Sequence, residues 1–156
     1  MTTGPFTASI EGWVAEEREL LLAVVQSSAQ DIVREIKRPI RDGGNMPVDT
    51  SFLQQSLQAS TESAPEIDPT HDGSQGPSSA NAAAIEAVIA GLEIGQTIYF
   101  GFTAVYALRQ NYGFYGVDTL GRAYSQPGRY FVEHAMAKWP QIVENNQRRL
   151  AANIVF

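Results

Sequence analysis

Any catalytic reading of this 156-residue chain has to start from its two histidines. His71 is followed directly by Asp72, and His134 follows Glu133 and stands one turn before Lys138. A histidine beside a carboxylate could serve a small hydrolase or nuclease as general base, provided the fold holds the pair still. His71 and Asp72 fall in a segment rich in Pro, Ser, Asp and Gly, where the sequence offers nothing to position them. A surface-loop role is expected for both. His134 sits on a predicted helix with no second histidine at metal-ligand spacing, so it is expected to pack or face solvent. Asp118 and Glu133 are isolated acids, without sign of the defined separation that glycoside cleavage requires of a carboxylate pair. No glycine-rich loop ends in Lys-Ser or Lys-Thr, and no nucleophile elbow is present. Gly95 and Gly101 are too sparse for a dinucleotide fingerprint. No catalytic residue, metal site or cofactor is therefore expected.

Composition narrows the alternatives. The chain has no cysteine, which excludes disulfides, thiolate metal sites and cysteine catalysis. Its 11 basic residues face 17 acidic ones, for a formal charge of -6. The basic residues gather at 34–41 and at Arg148-Arg149, positions expected to be helix ends, where cations complement the dipole. Tight sequence-specific DNA binding needs a clustered basic surface and is disfavoured. Passage of DNA along an acidic wall is not. Apolar residues make up 44% and charged residues 18%, the balance of a globular protein. One domain over 1–156 is expected, of a size that buries roughly 70% of its unfolded surface. No run approaches the ~18 apolar residues of a membrane span, so no membrane partner is expected. Residues 1–10 lack the pattern of a signal peptide.

The elements that would have to position any site can be read from periodicity. Residues 1–8 are expected to be a flexible tail. Ile10, Trp13, Val14, Leu21, Val24, Val25, Ile32, Val33 and Ile36 recur mostly at spacings of three and four, which predicts a helix over 9–37. At 1.5 Å per residue it would be roughly 40 Å long, and is expected to project from the core or pack on a neighbouring subunit. Pro39 and Gly43-Gly44 stop it. A short helix anchored by Phe52, Leu53 and Leu57 is expected next, with Asp49 or Thr50 as its N-cap. Residues 61–79 read as a long, mobile Pro/Ser-rich loop. A helix over 80–92 follows, and then a strand over 96–103 built on Ile98, Phe100 and Phe102. Residues 104–111 suggest a short helix and 112–126 a loop or hairpin. Pro127 is expected to open a final helix to about 152, kinked at Pro140. Further strands are expected within 58–63 and 112–124. The fold class is α+β: a small antiparallel sheet packed by a long N-terminal helix and a C-terminal helix.

Aromatic residues give the one surface signal. All 6 tyrosines lie between Tyr99 and Tyr130. Tyr99, Phe100, Phe102 and Phe131 read as core, as do Trp13 and Trp139. Tyr112, Phe114, Tyr115 and Tyr124 lie amid glycines, and both a core and a subunit-interface role remain open for them.

The order of short motifs resembles a known group. Pro47-Val48-Asp49-Thr50-Ser51-Phe52-Leu53 with Ser56 is similar to the Pro-Val-Asp-Thr-Gly-x-Leu-x-x-Ser segment of neck and tail-completion proteins of long-tailed bacteriophages, relatives of the lambda minor tail protein Z. Thr97-Ile98-Tyr99-Phe100-Gly101-Phe102, Tyr106-Ala107 and Tyr112-Gly113 resemble the strand and helix that follow in that family. Pro127-Gly128, Phe131-Val132, Ala135 and Trp139-Pro140 resemble its C-terminal helix. The likeness spans about residues 10 to 150. This chain departs from the pattern at Ser51, where the family often has Gly, and at Asn111, where it often has an acid. Its 61–79 loop is also longer than usual. The resemblance implies a virion structural protein of the head–tail junction with no enzymatic activity. It implies a ring of copies, commonly hexameric, touching head-completion (stopper), tail terminator or tail tube proteins, with DNA passing through the lumen. A tail terminator ring is the alternative, and a packaging-associated hydrolase using His71, Asp72 and His134 a third.

Overall fold

The protein is described here by a computed structural model that covers residues 4–78 and 80–153. Residues 1–3 of the expected tail, and Ser79 of the loop, lie outside the described residues. The element order is α1 (Pro5–Ile36), a 3-10 turn (Ile40–Asp42), α2 (Phe52–Gln55), β1 (Leu57–Ser60), α3 (Ala80–Ala90), β2 (Tyr99–Phe102), α4 (Ala107–Tyr112), β3 (Gly113–Val117), β4 (Ala123–Pro127), α5 (Phe131–Ala137) and α6 (Trp139–Ala151). The fold is α+β.

Helix α1 begins four residues earlier than the apolar pattern suggests, with Pro5 in its first turn. Proline suits that place, since its missing N–H would have no partner there. Residues 5–8 are therefore helix and not tail. The core-facing stripe of α1 buries Val24, Ser28, Ala29, Ile32 and Ile36. After the helix, Met46 N donates to Arg38 O at 3.1 Å and Ile40 N donates to Met46 O at 3.1 Å. That closed loop drives Met46 into the core, where it is fully buried.

The expected single sheet is two separate antiparallel strand pairs. β1 and β2 run antiparallel with Leu57 opposite Phe102 and Ala59 opposite Phe100. Phe100 and Phe102 point inward and touch two apolar clusters. One gathers Ile32, Ile36, Met46, Phe52, Leu53 and Phe131. The other gathers Ala29, Leu57, Ile85, Ile89 and Leu92. Phe102 meets Phe131 edge-on at 5.2 Å, a favoured aromatic geometry. The opposite face of β2 carries Gly101, where a Cβ would stand 2.6 Å from Pro65 O. Only glycine lets the 61–78 segment lie that close to the strand. The segment is tied down further, by Asp68 N donating to Thr103 O at 2.9 Å and Val105 N to His71 O at 3.1 Å. The loop expected to be mobile is tethered across the sheet.

The C-terminal region departs from expectation in a way that matters. Pro127 ends β4 and opens no helix; the helical region starts at Phe131. It is two helices, α5 and α6, separated at Lys138. Pro140 sits in the first turn of α6, where its missing N–H starts a new helix rather than kinking an old one. Lys138 pairs with Glu35, and Asn146 Nδ2 donates to Asp31 Oδ2 at 2.8 Å. Rising numbers on α6 thus meet falling numbers on α1, so the two helices are antiparallel. α6 has only 13 residues against 32 in α1.

That mismatch leaves every residue from 4 to 19 exposed to solvent. At ~1.5 Å per residue this is roughly 24 Å of uncovered helix. Trp13, expected in the core, is 63% exposed. Trp139 and Tyr99 lie at the margin, at 36% and 37%. No helix among the described residues is long and apolar enough to cross a membrane.

Candidate functional site

Two surfaces stand out, and an enzyme-like cleft around the histidines is not one of them. His71 is better positioned than its loop context suggests. Its Nδ1 lies 2.8 Å from Thr103 Oγ1, its Nε2 is 3.5 Å from an Asp68 oxygen, and its ring meets Phe52 edge-on at 6.3 Å. Thr103 is buried and its hydroxyl donates to Ser56 O at 3.2 Å. The group therefore bolts the tethered loop to β1 and β2. Asp72 takes no part: its carboxylate accepts from Ser74 N at 2.9 Å in a local turn. The cleft beside His71 holds about 70 Å³, far below the roughly 300–1,000 Å³ of small-molecule sites. His134 lies elsewhere, with Nε2 3.8 Å from Glu35. His71, Asp72 and His134 share no partner. Among the described residues no three His, Asp or Glu side chains converge as metal ligands would.

The expected helix cap is also absent. Neither Asp49 nor Thr50 caps α2; Ser51 occupies the N-cap with no side-chain hydrogen bond. Its φ of 66° is in the left-handed region, which turns the chain so that Asp49 and Thr50 stand outside the first turn. What fixes α2 instead is burial of Phe52 and Leu53.

The first surface is the β3–β4 hairpin with the end of α4. Gly113 starts β3 at φ 92°, where a Cβ would sit 2.7 Å from Gln126 O. That close approach joins α4 directly to the hairpin. Of the four candidate interface residues, Tyr112, Tyr115 and Tyr124 are exposed, Tyr115 by 67%. Phe114 is half-buried, tilted against Tyr124 at 5.9 Å with Arg109 stacked 4.9 Å over its ring. Tyr112 meets Tyr130 edge-on at 6.3 Å. The same region exposes Leu108, Val117 and Leu120, which the aromatic count missed because these residues carry no distinctive spacing. At the tip, Asp118 accepts from Arg122 N at 2.8 Å, from Arg122 Nε at 2.6 Å and from Leu120 N at 2.9 Å. These donors hold its carboxyl below the usual range.

Beneath this surface, Asn111 is a buried polar knot. Its Nδ2 donates to Glu133 Oε2 at 2.8 Å and its Oδ1 accepts from Val132 N at 3.2 Å. Burial alone would raise the Glu133 pKa, but the hydrogen bonds from Asn111 and Tyr112 outweigh it and hold the carboxyl low. The Glu133 carboxylate in turn pushes the Tyr112 phenol up.

The second surface is the uncovered half of α1. Phe6, Ile10, Trp13, Val14 and Leu21 are all exposed, and their spacing places them on the face that is buried further along. At the other end of α1, a groove of about 1000 Å³ runs between α1, α3 and α6. Glu35 stands in it. Burial would raise its pKa, but the Lys138 ammonium and the Arg38 guanidinium together pull it down.

No protein-family model, curated protein or solved structure matches this chain.

Proposed function

We propose that this protein is a structural subunit of the bacteriophage head–tail junction, a neck or tail-completion protein that assembles into a ring around the DNA path. The reading rests on the motif order described above. The observation in the fold that supports it best is the uncovered half of α1. A stripe of large apolar side chains in water along ~24 Å of helix is unusual for a monomer, and it suits a chain that is covered by another subunit. The exposed aromatic hairpin offers a further patch that suits contact with another protein of the junction, and a head-to-tail ring contact requires two different patches on each subunit. The formal charge of -6 suits a conduit that does not grip DNA.

Electron microscopy of particles made without this gene tests the proposal. Filled heads beside separate tails of normal length are expected. Overlong tails would favour a tail terminator instead. Complete, infectious virions would refute both readings. Empty heads without this gene, together with loss of phage yield in His71→Ala or His134→Ala with the fold intact, would favour the packaging-hydrolase reading instead.

A further inference from the structure

Glu17 is the feature of α1 that its own fold leaves unexplained. It follows Trp13 and Val14 by four and three residues and precedes Leu21 by four, so it stands in the middle of the apolar stripe. Whatever covers that stripe must offer a cation to this carboxylate or leave a charge stranded in an apolar contact, which is costly. A parallel pairing of two α1 stripes would set Glu17 against Glu17. An antiparallel pairing that brought Glu17 to Arg18 would set Phe6 opposite Ala29, which is already buried.

The groove between α1, α3 and α6 has the complementary character. Its floor includes Val33, Ile85, Ile89 and Ile142. Of its four cations, three are engaged. Arg34 pairs with Asp31 at 2.7 Å, Arg38 donates to Asp42 O at 2.8 Å, and Lys138 pairs with Glu35. Lys37 is the exception: among the described residues it has no carboxylate within ion-pair distance. It is half-buried, and burial pushes its ammonium pKa down. The exposed part of α1 carries Glu11, Glu16, Glu17 and Glu19 against Arg18 alone.

We propose that the exposed half of α1 docks in this groove on a second copy of the chain, with Glu17 paired to Lys37 of that copy. The contact cannot form within one molecule. Glu17 and Lys37 lie 20 residues apart on one continuous helix and its cap, which is about 30 Å. Because donor and acceptor patches differ, the contact repeats head to tail and closes into a ring or grows as a filament. It deepens the ring reading above and depends on that reading only for closure.

The absence of cysteine makes site-directed cross-linking clean. Full-length Glu17→Cys and Lys37→Cys proteins are mixed at high micromolar concentration under mild oxidation. A disulfide needs Cα atoms within about 7 Å, so the mixture should give severalfold more dimer than either protein alone, and the double-cysteine chain a ladder of multimers. Light scattering should show that Glu17→Lys loses self-association and that a chain carrying both E17K and K37E regains it, with circular dichroism confirming the fold. Monomers throughout would overturn the proposal. So would dimers as abundant with Glu17→Cys alone, which would indicate α1 pairing on α1. A monomeric chain whose deletion still separates heads from tails would remove the docking and leave the head–tail reading standing. Cross-linked multimers from a chain whose deletion leaves complete virions would do the reverse.

Discussion

Asn111→Asp tests the knot that joins α4 to α5. The change keeps shape and replaces a donor with a carboxylate that faces Glu133 across a 2.8 Å contact. Two terms follow. A hydrogen bond to a charged acceptor, worth about 1.5–3 kcal/mol, is lost. Two like charges about 4 Å apart at an effective dielectric near 20 repel by about 4 kcal/mol, but Glu133 is open to solvent, and screening removes most of that. A net loss of about 2 kcal/mol at pH 7 is expected, or a fall in Tm of about 6 °C for a chain of this length. The pH dependence is the sharper signature. In the parent, the low folded pKa of Glu133 gives stability that is present above its unfolded pKa and lost as pH falls through the folded one. In the variant, one carboxyl of the pair is raised above its unfolded pKa. Its destabilisation is then present at neutral pH and vanishes as protonation restores a donor. The deficit should therefore shrink from pH 7 towards about pH 4, the ordinary carboxylate range. Chemical denaturation of both proteins across that window measures it. Parallel profiles with a constant deficit would refute the assignment of Asn111 as the donor to Glu133.

Other perturbations separate local strain from assembly. Ser51→Gly should stabilise the fold by about 0.5 kcal/mol, because relief of the left-handed φ outweighs the added freedom of the unfolded chain; a lower Tm would mean that the serine side chain has a role. Asp49→Ala and Thr50→Ala should leave Tm unchanged, and a loss near 1 kcal/mol in either would restore it as a cap. Glu35→Gln should destabilise the protein at neutral pH and progressively less as pH falls through the lowered Glu35 pKa, since that carboxylate's contribution exists only above it; an equal deficit at all pH would exclude the ion pair with Lys138 as the cause. Tyr115→Ala should leave thermal stability within about 0.5 kcal/mol, as exposed substitutions do, while lowering the yield of joined particles; a large loss of monomer stability would make Tyr115 a packing residue.

Parts of this structure were legible in the sequence because the signal is local. The spacing of Ile32 and Ile36, the alternation of Phe100 and Phe102, and the glycines around Tyr112 fix α1, β2 and the hairpin at close to their observed places. What failed depended on contacts distant in sequence. The tether of His71 needs Thr103, 32 residues away, and Pro65 lies against β2 only because position 101 has no Cβ. Composition alone made that segment look free. The N-cap of α2 was misread because Asp and Thr are the usual capping types, whereas the observed cap position is set by a backbone turn at Ser51.

Trp13, expected in the core because tryptophan is usually buried, is exposed. The stripe on α1 runs from Phe6 to Ile36 without a change of pattern, and periodicity says which face is apolar, never how much of it the same chain covers. The covering helix α6 is 13 residues, or about 20 Å. It runs antiparallel to α1, with Lys138 at Glu35 and Asn146 at Asp31, so its Ala151 end, and not the break at Lys138, sets how far the cover reaches towards Trp13. Beyond that point the stripe is surplus to the fold of one copy, and Glu17 within it and the unpaired Lys37 at the far end of the same helix are the pair of facts that a second copy would reconcile.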